Sequence, residues 1–357
     1  MQTSKRIIGV TALLGLAATL LTACDPPMPP DVAAQIAEQT YTCVQGSVAL
    51  SSPANLSDPV SQWQSSVSQA CVSPLPEMAL TSATGKPDLV IAKSSPSSSE
   101  CTAFASSPLA VEAADVVFNL GVTTTLVLSP KNISDIFAGK ITNWNDPKLA
   151  KENNGTTLPD EPILINHDSD AVAVKSLNAW FTRLSAPLNL TSIKQAAKTE
   201  TSYYSDLQEG EIAIAPGSAV NELGSSAVSV LVSGANSKSP VVATPDAQGV
   251  SSAATQWKAS VSGDVVSVKL DPAQAPVAPV GFDKAAVPYQ AISPVNLYLC
   301  GDDTKVKRAA AFFLLRLDSQ GVLGASNYNQ LSEPVREVAL LSVRKGLPTP
   351  KASKVAK

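Results

Sequence analysis

Few residues in this chain combine in a way that performs covalent chemistry. The 357-residue sequence has one histidine, His167, within the run Ile165-Asn166-His167-Asp168-Ser169-Asp170. His167, Asp168 and Asp170 could together ligate a metal, but three ligands crowded into one short loop make a weak signal, and a surface or hydrogen-bonded histidine accounts for His167 better. There is no Gly-x-Ser-x-Gly, no Cys-x-x-Cys and no phosphate loop, and no nucleophile is paired with a base. The sequence therefore implies neither an enzyme nor a metal nor a cofactor. It does offer hydrogen-bond donors and charge at element ends: Ser51 and Ser52 after a first strand, Lys93 and Ser94 after a short apolar strand, and Asp168, Ser169 and Asp170 at the start of a helix. Groups of this kind bind small ligands.

The chain's beginning bears on where such a site would work. Lys5 and Arg6 precede an uncharged apolar run, Ile7 to Leu21, and Leu21-Thr22-Ala23-Cys24 looks like a lipobox. The run is short of the ~20 apolar residues of a membrane span. Residues 1–23 are thus expected to be a signal peptide, and Cys24 the first mature residue, carrying a diacylglyceryl thioether whose two chains anchor stably. Residues 24–40, opening with Asp25-Pro26-Pro27-Met28-Pro29-Pro30, form a stiff spacer. The expected location is the outer face of the cytoplasmic membrane, with the lipid on Cys24 as the membrane contact. A net charge of −4 with no basic cluster argues against nucleic acid as a partner.

Apolar runs at Tyr41–Leu50, Met78–Thr81, Leu89–Ala92, Leu109–Leu120, Pro159–Ile165, Gly210–Ala215, Val241–Ala243, Val265–Leu270 and Ile292–Leu299 read as strands. Val60–Ala70, Leu177–Leu184, a segment around Gln256-Trp257, Val306–Leu317 and part of Tyr328–Val343 read as helices. Leu126 to Pro147, LVLSPKNISDIFAGKITNWNDP, combines a short strand, a helix capped by Asn132 or Ser134 with Ile133, Ile136 and Phe137 on one face, a stop at Gly139, and a turn closed by Asp146-Pro147.

Asp135 to Pro147 closely resembles the segment "IFxGxIxxWxDP" of the phosphate-binding proteins of ABC importers. The resemblance covers roughly residues 41–343, with residue-level motifs in the central third. It implies an α/β, two-lobe periplasmic-binding-protein-like fold of type 2, with mixed sheets flanked by helices and two crossings between lobes. Residues 41–113 and 290–345 would form lobe 1, residues 114–289 lobe 2, and residues 346–357 a disordered Lys-rich tail. It also implies an ABC permease as partner and a small oxyanion held between the lobes. In that family the "IFxGxIxxWxDP" unit is scaffold and touches no ligand. The topology further implies two disulfides, Cys43 with Cys71 and Cys101 with Cys300.

At the ligand positions the family pattern breaks. The "RxDGSGT" loop aligns with the run around His167, Asp168, Ser169 and Asp170, and the Ser-Gly-Thr positions become Ala171-Val172-Ala173 or Val172-Ala173-Val174. Asp168 and Asp170 are placed to cap the helix, occupying the N–H groups that an anion would use. The family's "DFxxSD" becomes Asp88-Leu89-Val90-Ile91-Ala92-Lys93, with Lys93 in place of the aspartate that accepts the proton of hydrogen phosphate. Lys93 either meets an ionised oxyanion or carboxylate, or is solvated. The "GATF" turn is poorly matched by Ser47 to Ala54, where Ser51 and Ser52 are the obvious donors. The expected activity is solute binding, with phosphate disfavoured by these residues; the alternative is an envelope lipoprotein that has lost phosphate binding and acts in interaction or sensing.

Overall fold

Ala103 to Phe118 is a run of apolar and β-favouring residues too long for one ordinary strand, and it forms a single 16-residue strand, β4, buried along most of its length. The computed structural model that shows this describes residues 42–121, 125–154, 157–166, 170–189, 207–223, 226–232 and 241–347. The expected signal peptide, Cys24, the proline spacer, residues 167–169 and most of the tail lie outside the described residues.

β4 belongs to two sheets. Its first part pairs antiparallel with β13 (Ile292–Cys300), from Ala103 opposite Cys300 to Ala113 opposite Ile292. Its last five residues pair antiparallel with β7 (Glu211–Pro216), from Ala114 opposite Pro216 to Phe118 opposite Ile212. On the first side, β1 (Gly46–Ser51) runs parallel to both β2 (Met78–Ser82) and β3 (Leu89–Ala92), and β3 pairs antiparallel with β13. Helix α1 (Ser57–Ala70) covers these strands with Val60, Trp63 and Val67, one helical face spaced three and four apart. The Trp63 indole donates to the Ser319 carbonyl at 2.8 Å, tying the first helix to the C-terminal part of the chain. On the second side, β6 (Leu164–Ile165) runs parallel to β7, while β8 (Ser226–Ala227) pairs with the end of β4. A separate three-stranded sheet joins β5 (Val127–Leu128), β9 (Ser229–Val232) and β10 (Val241–Ala243). This is the two-lobe, mixed-sheet plan that the resemblance implies.

The family-like unit after β5 folds as a packed scaffold. Helix α2 (Pro130–Phe137) buries Ile133, Ile136 and Phe137, as their spacing predicts, and Gly139 at φ +70° ends it. The cap is Ser129, not Asn132 or Ser134: its side chain accepts from the Asn132 N–H, and Pro130 occupies the first helical position, where a missing N–H costs nothing. Trp144 is fully buried; its indole donates to the Gly210 carbonyl at 3.0 Å and its ring lies 6.1 Å from that of Phe118. Helix α3 (Pro147–Glu152), capped by Asp146, follows.

Two expectations change past residue 240. Helix α5 (Ala247–Ala254) stops before Trp257, which begins β11 (Trp257–Ser262) rather than lying in a helix. Gly263 at φ +63° lets the chain reverse with Ser262 opposite Val265, so β11 forms a hairpin with β12 (Val265–Leu270). That hairpin, expected in lobe 2, pairs instead with the first part of β4 through Val265 and Ser106. The chain therefore returns to the first sheet well before residue 290. After β13, helix α6 (Lys305–Leu314), the short α7 (Leu317–Gln320) and helix α8 (Glu333–Val343) complete the described chain.

Both disulfides pair as the topology implies, Cys43 with Cys71 and Cys101 with Cys300, at Cα separations of 5.4 and 5.1 Å. The first joins the approach to β1 to the segment ahead of β2. The second pins the start of β4 to the end of the antiparallel β13.

Candidate functional site

Parallel strands deliver their C-terminal ends to one edge of a sheet, and in open α/β sheets that edge is where ligands bind. Here β1 ends at Ser51 and β3 at Ala92, with Ser51 in register with Val90. Ser51 and Ser52 are half-buried at this edge, and Lys93 and Ser94 follow directly from β3. Ser94 is exposed to solvent.

Lys93 is not solvated. Its side chain retains only 5% of its accessible surface, and Nζ lies 2.7 Å from Glu112 Oε2 and 3.5 Å from Asp170 Oδ2. Glu112 comes from β4, next to the point where that strand passes from one sheet to the other. Its second oxygen, Oε1, accepts a 2.5 Å hydrogen bond from Ser218, in the 3-10 turn that follows β7. Burial pushes the Glu112 carboxyl pKa up, and the Lys93 ammonium and the two hydrogen bonds oppose that rise.

Asp170 arrives from the other sheet. It caps helix α4 (Ala171–Arg183), with Oδ1 accepting from the N–H groups of Val172 at 2.9 Å and Ala173 at 2.8 Å. Its Oδ2 faces Lys93. The capping role expected of Asp170 is thus present, and the carboxylate stands on the helix N–H groups at the place an exogenous oxyanion would take. The cluster sets two carboxylates against one cation, so the Lys93 charge is compensated from within. His167, Asp168 and Ser169 lie outside the described residues.

Two tyrosines border the cluster. Tyr328 donates to Asn55 at 3.1 Å; burial and the nearby Glu112 charge hold its hydroxyl pKa above the ordinary range. Tyr289 donates to the Ala114 carbonyl at 2.9 Å, and its ring meets Trp180 of α4 edge-on at 4.8 Å. Between them, three residues along β4 from Glu112, sits Asp115. It is 3% exposed, and its carboxyl pKa is pushed up to about 8 by burial, with the Glu112 charge adding and the neighbouring Tyr289 hydroxyl opposing.

Of the candidate residues, the structure joins Lys93 to Asp170, and it places Ser51 and Ser52 at the same sheet edge as Lys93. Sequence reasoning missed Glu112, Asp115, Ser218, Asn55 and Tyr328. A signal for the first two was present: Glu112 and Asp115 are the only charged residues in the apolar run Leu109 to Leu120. A carboxylate in such a run must find a partner or a proton once buried.

The family model described as a PBP superfamily domain matches residues 81–313, from β2 through most of α6 and so across both sheets. The chain belongs to the PBP superfamily. Among curated relatives, this PBP-superfamily chain is 53% identical over 45 residues to the phosphate-binding protein PstS of Pasteurella multocida, covering 13% of each chain. It is 35% identical over 95 residues to the phosphate-binding protein PstS2 of Mycobacterium bovis, covering 26% of this chain and 24% of the relative. These alignments therefore span a quarter or less of the relatives' length. A crystal structure of a putative phosphate ABC transporter substrate-binding protein with bound phosphate, from Clostridium perfringens, superposes with a TM-score of 0.41 at 14% identity, covering 80% of this chain and all of that one.

Proposed function

We propose that this protein is a lipid-anchored extracytoplasmic solute-binding protein serving an ABC importer, in which two lobes close on a small anionic ligand at Lys93. Lobe 1 comprises residues 41–113, the hairpin at 257–270 and residues 290–345; lobe 2 runs from residue 114 to about residue 244. One observation carries the reading: Lys93 follows β3 of the first sheet, Asp170 caps α4, and their side chains meet at 3.5 Å. Parting the lobes separates that pair and opens one side of the Lys93 ammonium, still held by Glu112 at 2.7 Å, to an ionised anion. Ser51, Ser52 and Ser94 supply further donors.

The names of the curated relatives point to phosphate. The residues here point away from it, because Asp170 competes for the anion position and Val172 and Ala173 provide no hydroxyl. The same internal compensation of Lys93 favours a second reading, a binding-protein fold that has given up its ligand and acts in envelope interaction or sensing.

Calorimetry on the purified protein distinguishes them. Phosphate is expected to bind weakly or not at all, and submicromolar affinity would overturn this account of the site. An anion from a panel of sulfate and small carboxylates that raises the melting temperature of the wild type, but not of Lys93→Ala, supports solute binding. A panel with no such anion supports the second reading. For the anchor, mass spectrometry of the mature N-terminus is expected to find a diacylglyceryl group on Cys24, and Cys24→Ala is expected to leave the membrane fraction.

A further inference from the structure

Asp115 also lines a cavity of about 360 Å³ whose wall includes none of Lys93, Glu112 and Asp170. That volume lies at the small end of the range for ligand pockets. Buried carboxylates normally have every oxygen accounted for. Asp115 does not: it is 3% exposed, and Oδ1 has no hydrogen-bond partner among the described residues. Two more lining groups, Gln330 Oε1 and Ser332 Oγ, are likewise buried without a partner. The floor stays open beside Asp115 because residue 217 is glycine: a Cβ there would stand 3.2 Å from Ala113 Cβ and 3.4 Å from Asp115 Oδ2.

The sign of the charge selects the ligand. Asp246 adds a second carboxylate, already holding the Gly249 N–H and the Thr244 hydroxyl, and among the described residues the lining contains no lysine, arginine or histidine. Of the unpartnered atoms, Gln330 Oε1 is an acceptor and Asp115 Oδ1 becomes one when the carboxyl ionises, so a ligand that donates to both completes them. Val280 and Phe282 line the cavity and keep 47% and 36% of their surface exposed, which gives it an apolar side open to solvent. We propose that this cavity binds a small organic ammonium ion, its N–H groups donating to Asp115 and Gln330 and its hydrocarbon body lying against Val280 and Phe282. An anion would meet the Asp246 carboxylate and no cation among the described residues, and would gain nothing from ionising Asp115. Water alone would satisfy the oxygens and leave the apolar side unused.

Ammonium binding also moves a proton. The cation favours the ionised carboxylate, so Asp115, held largely protonated below about pH 8 in the unliganded protein, releases its proton to the buffer as the ammonium enters.

The test is titration of the full-length protein in detergent with benzylammonium chloride at pH 7, repeated in two buffers of different ionisation enthalpy. Saturable 1:1 binding is expected, with proton release, no displacement by phosphate, and no comparable binding of benzoate or benzyl alcohol. Asp115→Asn is expected to weaken it by more than about tenfold, the loss of a charge-assisted hydrogen bond. Phe282→Ala, at a partly exposed position that leaves the fold intact, is expected to weaken it several-fold and gives an answer even if the Asp115 variant is unstable. Absence of saturable binding, equal binding of benzoate or benzyl alcohol, or unchanged affinity in Phe282→Ala overturns the proposal. Because phosphate and benzylammonium use different residues, failure here leaves the reading of Lys93 untouched, and the reverse holds.

Discussion

Lys93 Nζ stands 2.7 Å from Glu112 Oε2, with both side chains almost wholly removed from solvent. A buried pair of this kind is weak evidence of stability when compared with an apolar replacement, but removing one partner strands the other. Lys93→Met leaves Glu112 and Asp170 facing each other without a cation, and is expected to cost about 3–5 kcal/mol in chemical denaturation. The double variant Lys93→Met/Glu112→Gln should recover a substantial part of that loss. If the double variant is as unstable as the sum of the singles, the two residues do not act as a pair.

Asp115 gives a pH dependence whose sign follows from its pKa. The folded value is raised, from 3.8 to about 8, so the folded state holds a proton that the unfolded state releases. Its contribution is fully present below about pH 4 and is lost as pH rises to about 8. Asp115→Asn cannot ionise, so its melting temperature relative to the wild type should increase between pH 5 and pH 9, by at least about 2 °C. An offset that stays flat or falls across that range would show that the carboxyl titrates normally.

The two disulfides differ in what they enclose. Cys43–Cys71 spans 28 residues and Cys101–Cys300 spans 199. Loop-closure entropy assigns them about 4 and about 5 kcal/mol respectively. Cys101→Ser/Cys300→Ser should therefore lower the denaturation midpoint more than Cys43→Ser/Cys71→Ser. Equal losses would mean that the unfolded chain already holds β4 near β13.

The order of Ile136, Gly139, Trp144 and Pro147 made the scaffold of the second side legible, because rare residues in fixed register leave few alternatives. The disulfides were legible only through the topology, since four cysteines alone allow three pairings. Trp257 misled because Val250, Ala253 and Ala254 do continue a helical face up to it, and the reversal at Gly263 carried the decisive signal. Lys93 could be placed at the right sheet edge, but its partners could not. Glu112 is 19 residues away and Asp170 is 77, and the folding of β4 and α4 onto a common point is what joins them. Sequence spacing carries helix and strand periods; it carries nothing about two ends that meet only after both sheets have formed.

Trp144 tests whether the most family-like segment is scaffold or site. Its indole N–H donates to Gly210 O, at the glycine with φ +85° that leads into β7, and its ring packs against Phe118 at the end of β4. Replacing it with Phe removes the donor and part of the volume while keeping an aromatic ring, so the Gly210 carbonyl loses its side-chain partner in a buried setting. A loss of about 1–3 kcal/mol is expected. If Trp144 is scaffold, any anion that stabilises the wild type should shift the melting temperature of Trp144→Phe by the same increment from its lower base. A variant of normal stability that no longer responds to the anion would move Trp144 from scaffold to site.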